Sequence, residues 1–199
     1  MALLLTGRAQ GRTIKKDSEV RMFAYLLLLA AVLSHLLPHA GWYGFTAVGG
    51  SLLYFGARRN WVEMVVPVAL LAGADYYLTA HVYGYPFIWQ AYVVTWAWYL
   101  GAMALGRGLL RDKATLLRGV AAALLGPTSF FLLSNFAVWL GTETLYPKTA
   151  EGLFACFVAG LLFYGRDLIS TALVLTMVFA LPAGLRHWFS QSAHAKNLA

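Results

Sequence analysis

Long apolar stretches separated by short polar segments run through most of the chain. They cover residues 22–37, 42–57, 62–80, 87–106, 119–140, 151–164 and 168–185. Most of them approach the roughly 20 residues that a transmembrane helix needs. The stretches lack the alternation of barrel strands, and a backbone in lipid must satisfy its own hydrogen bonds. The pattern therefore predicts an all-α integral membrane protein, a compact bundle of transmembrane helices.

The number of crossings depends on the short stretch 151–164. If it crosses the membrane, the chain has seven spans and Arg186 and Lys196 lie outside. If it dips into the membrane or lies along the outer surface, the chain has six spans and both residues lie inside. The stretch is short for a span, and counting basic residues also favours six. We expect six transmembrane helices in one domain over residues 22–188, with cytoplasmic tails at 1–21 and 189–199.

The basic residues predict the orientation of the bundle, because short loops rich in Lys and Arg stay in the cytoplasm. They cluster before span one, after span two and between spans four and five: Arg8, Arg12, Lys15, Lys16, Arg21, Arg58, Arg59, Arg107, Arg111, Lys113 and Arg118. All of these fall on one side of the six-span arrangement. We therefore expect a multi-pass protein of the inner (cytoplasmic) membrane, with its N-terminus in the cytoplasm.

Composition excludes other classes of protein. The 199 residues are 60% hydrophobic and 12% charged, whereas soluble domains are about 25% charged. The net charge of +7 comes from short clusters between apolar runs and not from one basic stripe, so we expect no nucleic-acid partner and a lipid bilayer as the environment.

Polar and aromatic residues gather near the predicted outer ends of the helices. Asp75 lies inside span three, where a carboxylate is costly and is usually kept for a reason, although snorkelling or helix packing would also account for it. Thr128 and Asn135 share a face of span five, and small polar residues there could equally hold helices together. Trp89 begins an aromatic series on span four, which an interfacial belt would also explain. Together these groups predict an outward-facing pocket for a large, amide-rich, mostly uncharged solute.

Three stretches resemble a known family, the small vitamin-binding S components of energy-coupling-factor (ECF) transporters. They are GADYYLTAHVYGYPF, GPTSFFLLSNFAVWL and YPKTAEGLFACFVAGLLFYGRDLISTAL, within a likeness that covers residues 23–185. The chain is most similar to the BtuM type, solitary S components associated with cobalamin uptake. The resemblance implies six helices, an outer site formed by the loops after spans one, three and five, and cobalamin or a related corrinoid as the transported solute.

The chain departs from the BtuM pattern at one position. That pattern has a cysteine in the loop after span three, whose thiolate coordinates cobalt and can displace an upper ligand such as cyanide. Ala80 stands at the equivalent position, so this decyanation chemistry is in doubt. His81 could act as the cobalt ligand in its place, because imidazole binds cobalt, although a loop histidine is commonly just solvated. The single Cys156 lies in an apolar setting that favours a packing role.

We expect a protein that binds a corrinoid at the outer side and carries it into the cell. The candidate substrate-binding residues are Asp75, Ala80, His81, Tyr83, Tyr85, Trp89, Thr128, Asn135 and Asp167. The chain has no ATP-binding motif, so active transport would need a separate ATPase module as partner. A membrane-embedded enzyme, a haem- or metal-binding membrane protein and a channel remain alternatives, although no recognisable catalytic motif occurs.

Overall fold

The protein is helical in all the ranges that the structure describes. The structure is a computed structural model, and it describes residues 2–37, 45–141 and 145–180. Six α-helices occur in these ranges: α1 (Ala2–Leu36), α2 (Val48–Arg58), α3 (Val65–Tyr77), α4 (Val93–Leu110), α5 (Leu116–Leu140) and α6 (Ala150–Leu175). Short 3₁₀ turns precede α3 (Trp61–Met64) and α4 (Trp89–Tyr92), and π-helical turns extend α3 (Leu78–Val82) and α6 (Thr176–Ala180).

Four segments are long and apolar enough to cross a membrane: Asp17–Leu36, Trp61–Val82, Leu116–Leu140 and Ala150–Phe179. Their outward faces carry large apolar side chains, and Leu29, Leu132 and Leu161 are each about half exposed. A water-soluble protein rarely leaves large continuous apolar surfaces exposed. The described residues therefore form a helical membrane protein, as the apolar stretches predict.

Helix α2 forms the centre of the bundle. Every residue from Val48 to Ala57 is buried. A Cβ atom added to Gly56 would overlap the backbone of Met103 in α4, and a Cβ added to Gly106 of α4 would overlap the backbone of Leu53. Helices in lipid associate through close packing, which small residues permit. The two glycines thus allow α2 and α4 to meet backbone to backbone.

Polar side chains join the helices at one end of the bundle, which we call the near face. Arg59 donates from Nε and Nη2 to the Glu63 carboxylate at 3.0 and 2.8 Å, and Asp17 lies 3.7 Å away. The Tyr25 hydroxyl donates to Glu63 at 2.9 Å, and Arg107 donates to the carbonyl of Arg59 at 2.8 Å. These contacts join α1 to the end of α2 and to the start of the α3 segment, and they join the end of α2 to the last turns of α4. The opposite end, where α1, α3 and α5 end, is called the far face.

The expected division of the last third of the chain is wrong. Residues 151–164 and 168–185 were expected to form separate segments, but α6 is continuous over Ala150–Leu175. The Thr149 hydroxyl caps its start by accepting from the Gly152 amide at 3.2 Å. No proline lies between Ala150 and Ala180, and a single glycine costs only about 1 kcal/mol in a helix. The described residues contain six α-helices, and the sixth covers residues that were expected to form two separate segments.

The first helix also begins earlier than the apolar pattern indicates. Helix α1 starts at Ala2, so the backbone of the expected tail 1–21 is helical from residue 2 and continues into the first span. The expected C-terminal tail 189–199, the start of the second span at Trp42 and residues 142–144 of the loop after span five lie outside the described residues.

Candidate functional site

A partly enclosed cavity of about 390 Å³ lies among the helices, in the half of the bundle toward the far face. Small-molecule sites measure about 300–1,000 Å³. The polar groups that line it are His35, Thr46, Tyr83, Ser134, Asn135 and Asp167. Its aromatic walls are Trp98, Tyr99, Phe130, Phe131, Phe163 and Tyr164. Gly49 and Gly160 allow neighbouring side chains to approach closely, since a Cβ added to Gly49 would lie 2.6 Å from Thr171 Oγ1 and one added to Gly160 would lie 2.4 Å from Asn135 Oδ1.

Asp167 brings a carboxylate to this cavity from well inside α6. The Thr171 hydroxyl donates to its Oδ1 at 3.4 Å, at the long limit for a hydrogen bond. The carboxylate also lies beside the first turn of α2, because a Cβ added to Gly49 would be 3.2 Å from Oδ1. The positive end of that helix favours a negative charge. Asp167 therefore lies within one continuous helix and not between the two segments that were expected over residues 151–164 and 168–185.

Asp75 lies behind the cavity wall and fixes His35, which lines the cavity. His35 Nε2 is 2.9 Å from Asp75 Oδ1, and the Trp96 indole donates to Oδ2 at 3.0 Å. The Tyr99 hydroxyl donates to the same oxygen at 3.4 Å. Asp75 is only 6% exposed, so α1, α3 and α4 converge on one satisfied carboxylate. Its arrangement matches the helix-packing alternative and gives His35 a fixed orientation.

Asn135 faces the cavity and also packs against α6. Its Nδ2 donates to the carbonyl of Phe131 at 2.8 Å, and a Cβ added to Gly160 would lie 2.7 Å from Nδ2. Thr128 does not line the cavity, and its hydroxyl lies 3.0 Å from that of Tyr164, whose ring does. The buried Cys156 thiol lies 3.3 Å from the Asn135 carbonyl oxygen, in keeping with the expected packing role.

The segment with Ala80 and His81 was expected to be a loop over the site, and that expectation is wrong. Leu78–Val82 is a π-helical turn that continues α3. His81 stacks on Tyr77 with ring centroids 5.5 Å apart and meets the edge of Tyr76 at 5.6 Å. Both tyrosines are about half exposed and neither lines the cavity. A π-turn contains one residue more than an α-helical turn, and this rotates the side chains that follow it. A prediction that assumes an α-helix or a loop therefore gives these side chains the wrong direction.

The predicted site residues therefore divide into three groups. Tyr83, Asn135 and Asp167 line the cavity. Asp75 and Thr128 contact residues that line it. The remaining four, Ala80, His81, Tyr85 and Trp89, do not contribute to the cavity lining.

The sequence interpretation missed several residues that form the cavity, chiefly His35, Trp98, Tyr164 and Gly160. The position of His35, one residue before the last residue of the apolar helix α1, was a usable signal, since intramembrane ionisable residues are functional candidates. Gly160 carried no such signal. Among the described residues, no group of three or more His, Cys, Asp or Glu side chains is arranged to hold a metal ion.

Fold and cavity together define a helical membrane protein with a small-molecule-sized site in one half of its bundle. The chain belongs to a family of unknown function, DUF6580, whose model matches residues 15–193. No curated protein and no solved structure matches the chain.

Proposed function

We propose that the protein is a solute-binding uptake protein of the inner (cytoplasmic) membrane, with six crossings and the near face in the cytoplasm. The orientation is supported by the basic residues at the helix ends of the near face, including Arg58, Arg107 and Arg118. With that orientation the far face is external, and the cavity belongs to the outer half of the bundle. A solute would enter from outside, as the sequence pattern predicts.

The observation that carries this proposal is the cavity itself. Polar and ionisable groups inside a membrane bundle are costly, and they usually mark solute or ion pathways. Here His35, Asn135 and Asp167 line a shared space of about 390 Å³ whose walls are otherwise largely aromatic. Apolar walls with a few convergent polar groups are typical of a small-molecule site. A purely structural bundle would have no reason to leave this space open, because interiors are normally close-packed.

The volume of the cavity limits the size of the solute that it can hold. A volume of about 390 Å³ is near the lower end for small-molecule sites, so a compact molecule fits it best. A corrinoid is the second candidate. It is far larger, and most of it would rest on the far face with one peripheral group inserted. The exposed rings of Tyr83, Tyr85 and Trp89 favour this arrangement, because flat aromatic surfaces can stack on a macrocycle.

The energy for active transport would have to come from a partner protein. The chain carries no phosphate-binding glycine loop, so an ATPase module would have to bind it from the cytoplasm. Movement down a gradient with trapping inside the cell would need no such partner. Affinity purification from native membranes, with nucleotide hydrolysis measured on the eluate, distinguishes the two modes.

Blocking the cavity tests the proposed binding site. The protein is purified in detergent, bound small molecules are identified by mass spectrometry, and a corrinoid is recognised by its visible absorbance. Ser134→Trp fills the cavity and should abolish copurification of the solute. Leu132→Trp adds a similar bulk to the lipid-facing side of α5, where Leu132 is 49% exposed, and should leave it unchanged. Retention of the solute by Ser134→Trp would place binding elsewhere.

A further inference from the structure

Asp167 is an ionisable group that the described part of the bundle leaves incompletely satisfied. It lies within the span Ala150–Phe179 and lines the cavity. Within the described ranges, its carboxylate makes one side-chain hydrogen bond, from Thr171 at 3.4 Å, and no ion pair. A carboxylate at this depth is costly unless an opposite charge or several donors compensate it.

Asp75 provides an internal comparison. It also lies within a membrane span, yet its two oxygens have three partners, from His35, Trp96 and Tyr99. The fold thus supplies full compensation to the carboxylate behind the cavity wall. Among the described residues, the Asp167 carboxylate has one hydrogen-bond donor, the Thr171 hydroxyl, and it lies beside the first turn of α2. This difference makes Asp167 the candidate contact for a ligand.

The walls around Asp167 suit a cation. Trp98 and Tyr99 are 6% and 4% exposed, and they line the same cavity as Phe130, Phe131 and Tyr164. The face of an aromatic ring carries negative potential and attracts ammonium groups, most strongly where water is excluded. A metal ion prefers several oxygen or imidazole ligands, and among the described residues no group of three or more His, Cys, Asp or Glu side chains is arranged to hold one.

We propose that the cavity binds an organic cation, an ammonium-bearing molecule whose charge pairs with Asp167 and whose apolar body packs against the aromatic walls. This inference rests on the proposed solute-binding function and specifies the charge of the solute. The sequence pattern predicts a mostly uncharged, amide-rich solute. The cationic assignment differs from that prediction because it depends on the position of the Asp167 carboxylate at the cavity.

Three probes of nearly equal shape test the charge preference. They are phenethylamine, 2-phenylethanol and phenylacetate, which are cationic, neutral and anionic at neutral pH. Binding to the full-length protein in detergent is measured by isothermal titration and by thermal stabilisation. The amine should bind about tenfold or more tightly than the other two, as expected for one desolvated charge contact.

Two variants assign that preference to Asp167. Asp167→Asn keeps the shape of the side chain and should abolish the advantage of the amine while leaving 2-phenylethanol binding unchanged. Asp112→Asn removes the same charge from an exposed position and should preserve the advantage. Equal affinity for all three probes, or an unchanged preference in Asp167→Asn, overturns the cationic assignment but leaves the binding cavity intact.

The Ser134→Trp variant distinguishes a wrong cationic assignment from a wrong proposed function. If probes bind without charge preference and Ser134→Trp blocks them, the cavity is a binding site and only the cation is wrong. If no probe binds the wild-type protein, the cationic assignment is wrong. If, in addition, no solute copurifies with the wild-type protein, the proposed uptake function fails as well.

Discussion

Replacing Gly106 by alanine should disrupt the contact between α2 and α4. A Cβ at this position would lie 2.7 Å from the backbone carbonyl carbon of Leu53 and closer still to its oxygen. Backbone atoms cannot rotate away as a flexible side chain can. The two helices must therefore separate until that distance reaches an ordinary contact of at least 3.4 Å. Because α2 is buried on all sides, this movement also disturbs its packing against α1, α5 and α6.

The expected decrease in the free energy of unfolding of Gly106→Ala follows from this geometry. Overpacking a core with one methyl group typically costs about 1–3 kcal/mol, and a clash with backbone lies at the upper end of that range. For a chain of this size, about 3 kcal/mol corresponds to a decrease in Tm of roughly 6–12 °C. Alanine is also the better helix former by about 1 kcal/mol, which offsets part of the loss.

The matched control lies two residues away on the same helix. A Cβ added to Gly108 has no atom within 4 Å, so Gly108→Ala should leave the Tm unchanged or raise it slightly. Thermal unfolding in detergent, followed by tryptophan fluorescence and checked by size-exclusion chromatography, measures both variants. Equal Tm values for Gly106→Ala and Gly108→Ala would refute the backbone-to-backbone packing of α2 and α4.

Three further predictions concern the carboxylate behind the cavity, the amide inside it and the orientation of the bundle. Asp75→Ala leaves the buried donors around it unpaired and should lower the free energy of unfolding by about 3 kcal/mol, measured by thermal denaturation; an unchanged Tm would contradict its role in joining the helices. Asn135→Ala should weaken solute binding about tenfold in a titration, whereas Ser51→Ala, whose buried hydroxyl has no partner among the described residues, should change neither binding nor stability. Equal affinity of Asn135→Ala and wild type would remove that amide from the site. Cysteines introduced at Lys113 and Gly84 should react with a membrane-impermeant reagent only at Gly84 in intact cells, and labelling at Lys113 would reverse the proposed orientation.

The membrane character of the chain was determined by the sequence alone, because it depends on local composition. Long runs with few charged residues cannot fold as a water-soluble surface, and the four membrane-length segments lie within or across those runs. The charge pattern also placed Arg59 and Arg107 on one side, and Arg107 donates to the carbonyl of Arg59 at 2.8 Å. Local sequence was less informative about helix ends, since the polar residues near Gly165 resembled a break and α6 continues through them.

The identity of the site residues was decided only by the tertiary structure. Asp75 and Asp167 are both carboxylates in apolar helices, and the local sequence does not tell which of them lines the cavity. Asp75 is satisfied because α1 and α4 bring His35, Trp96 and Tyr99 to it, whereas Asp167 faces the space that the packing leaves open. The π-helical turn at Leu78–Val82 similarly turns His81 onto Tyr77 and away from the cavity. Which groups face a shared cavity depends on helix rotation and on partners distant in sequence, and a pattern along one chain does not contain that information.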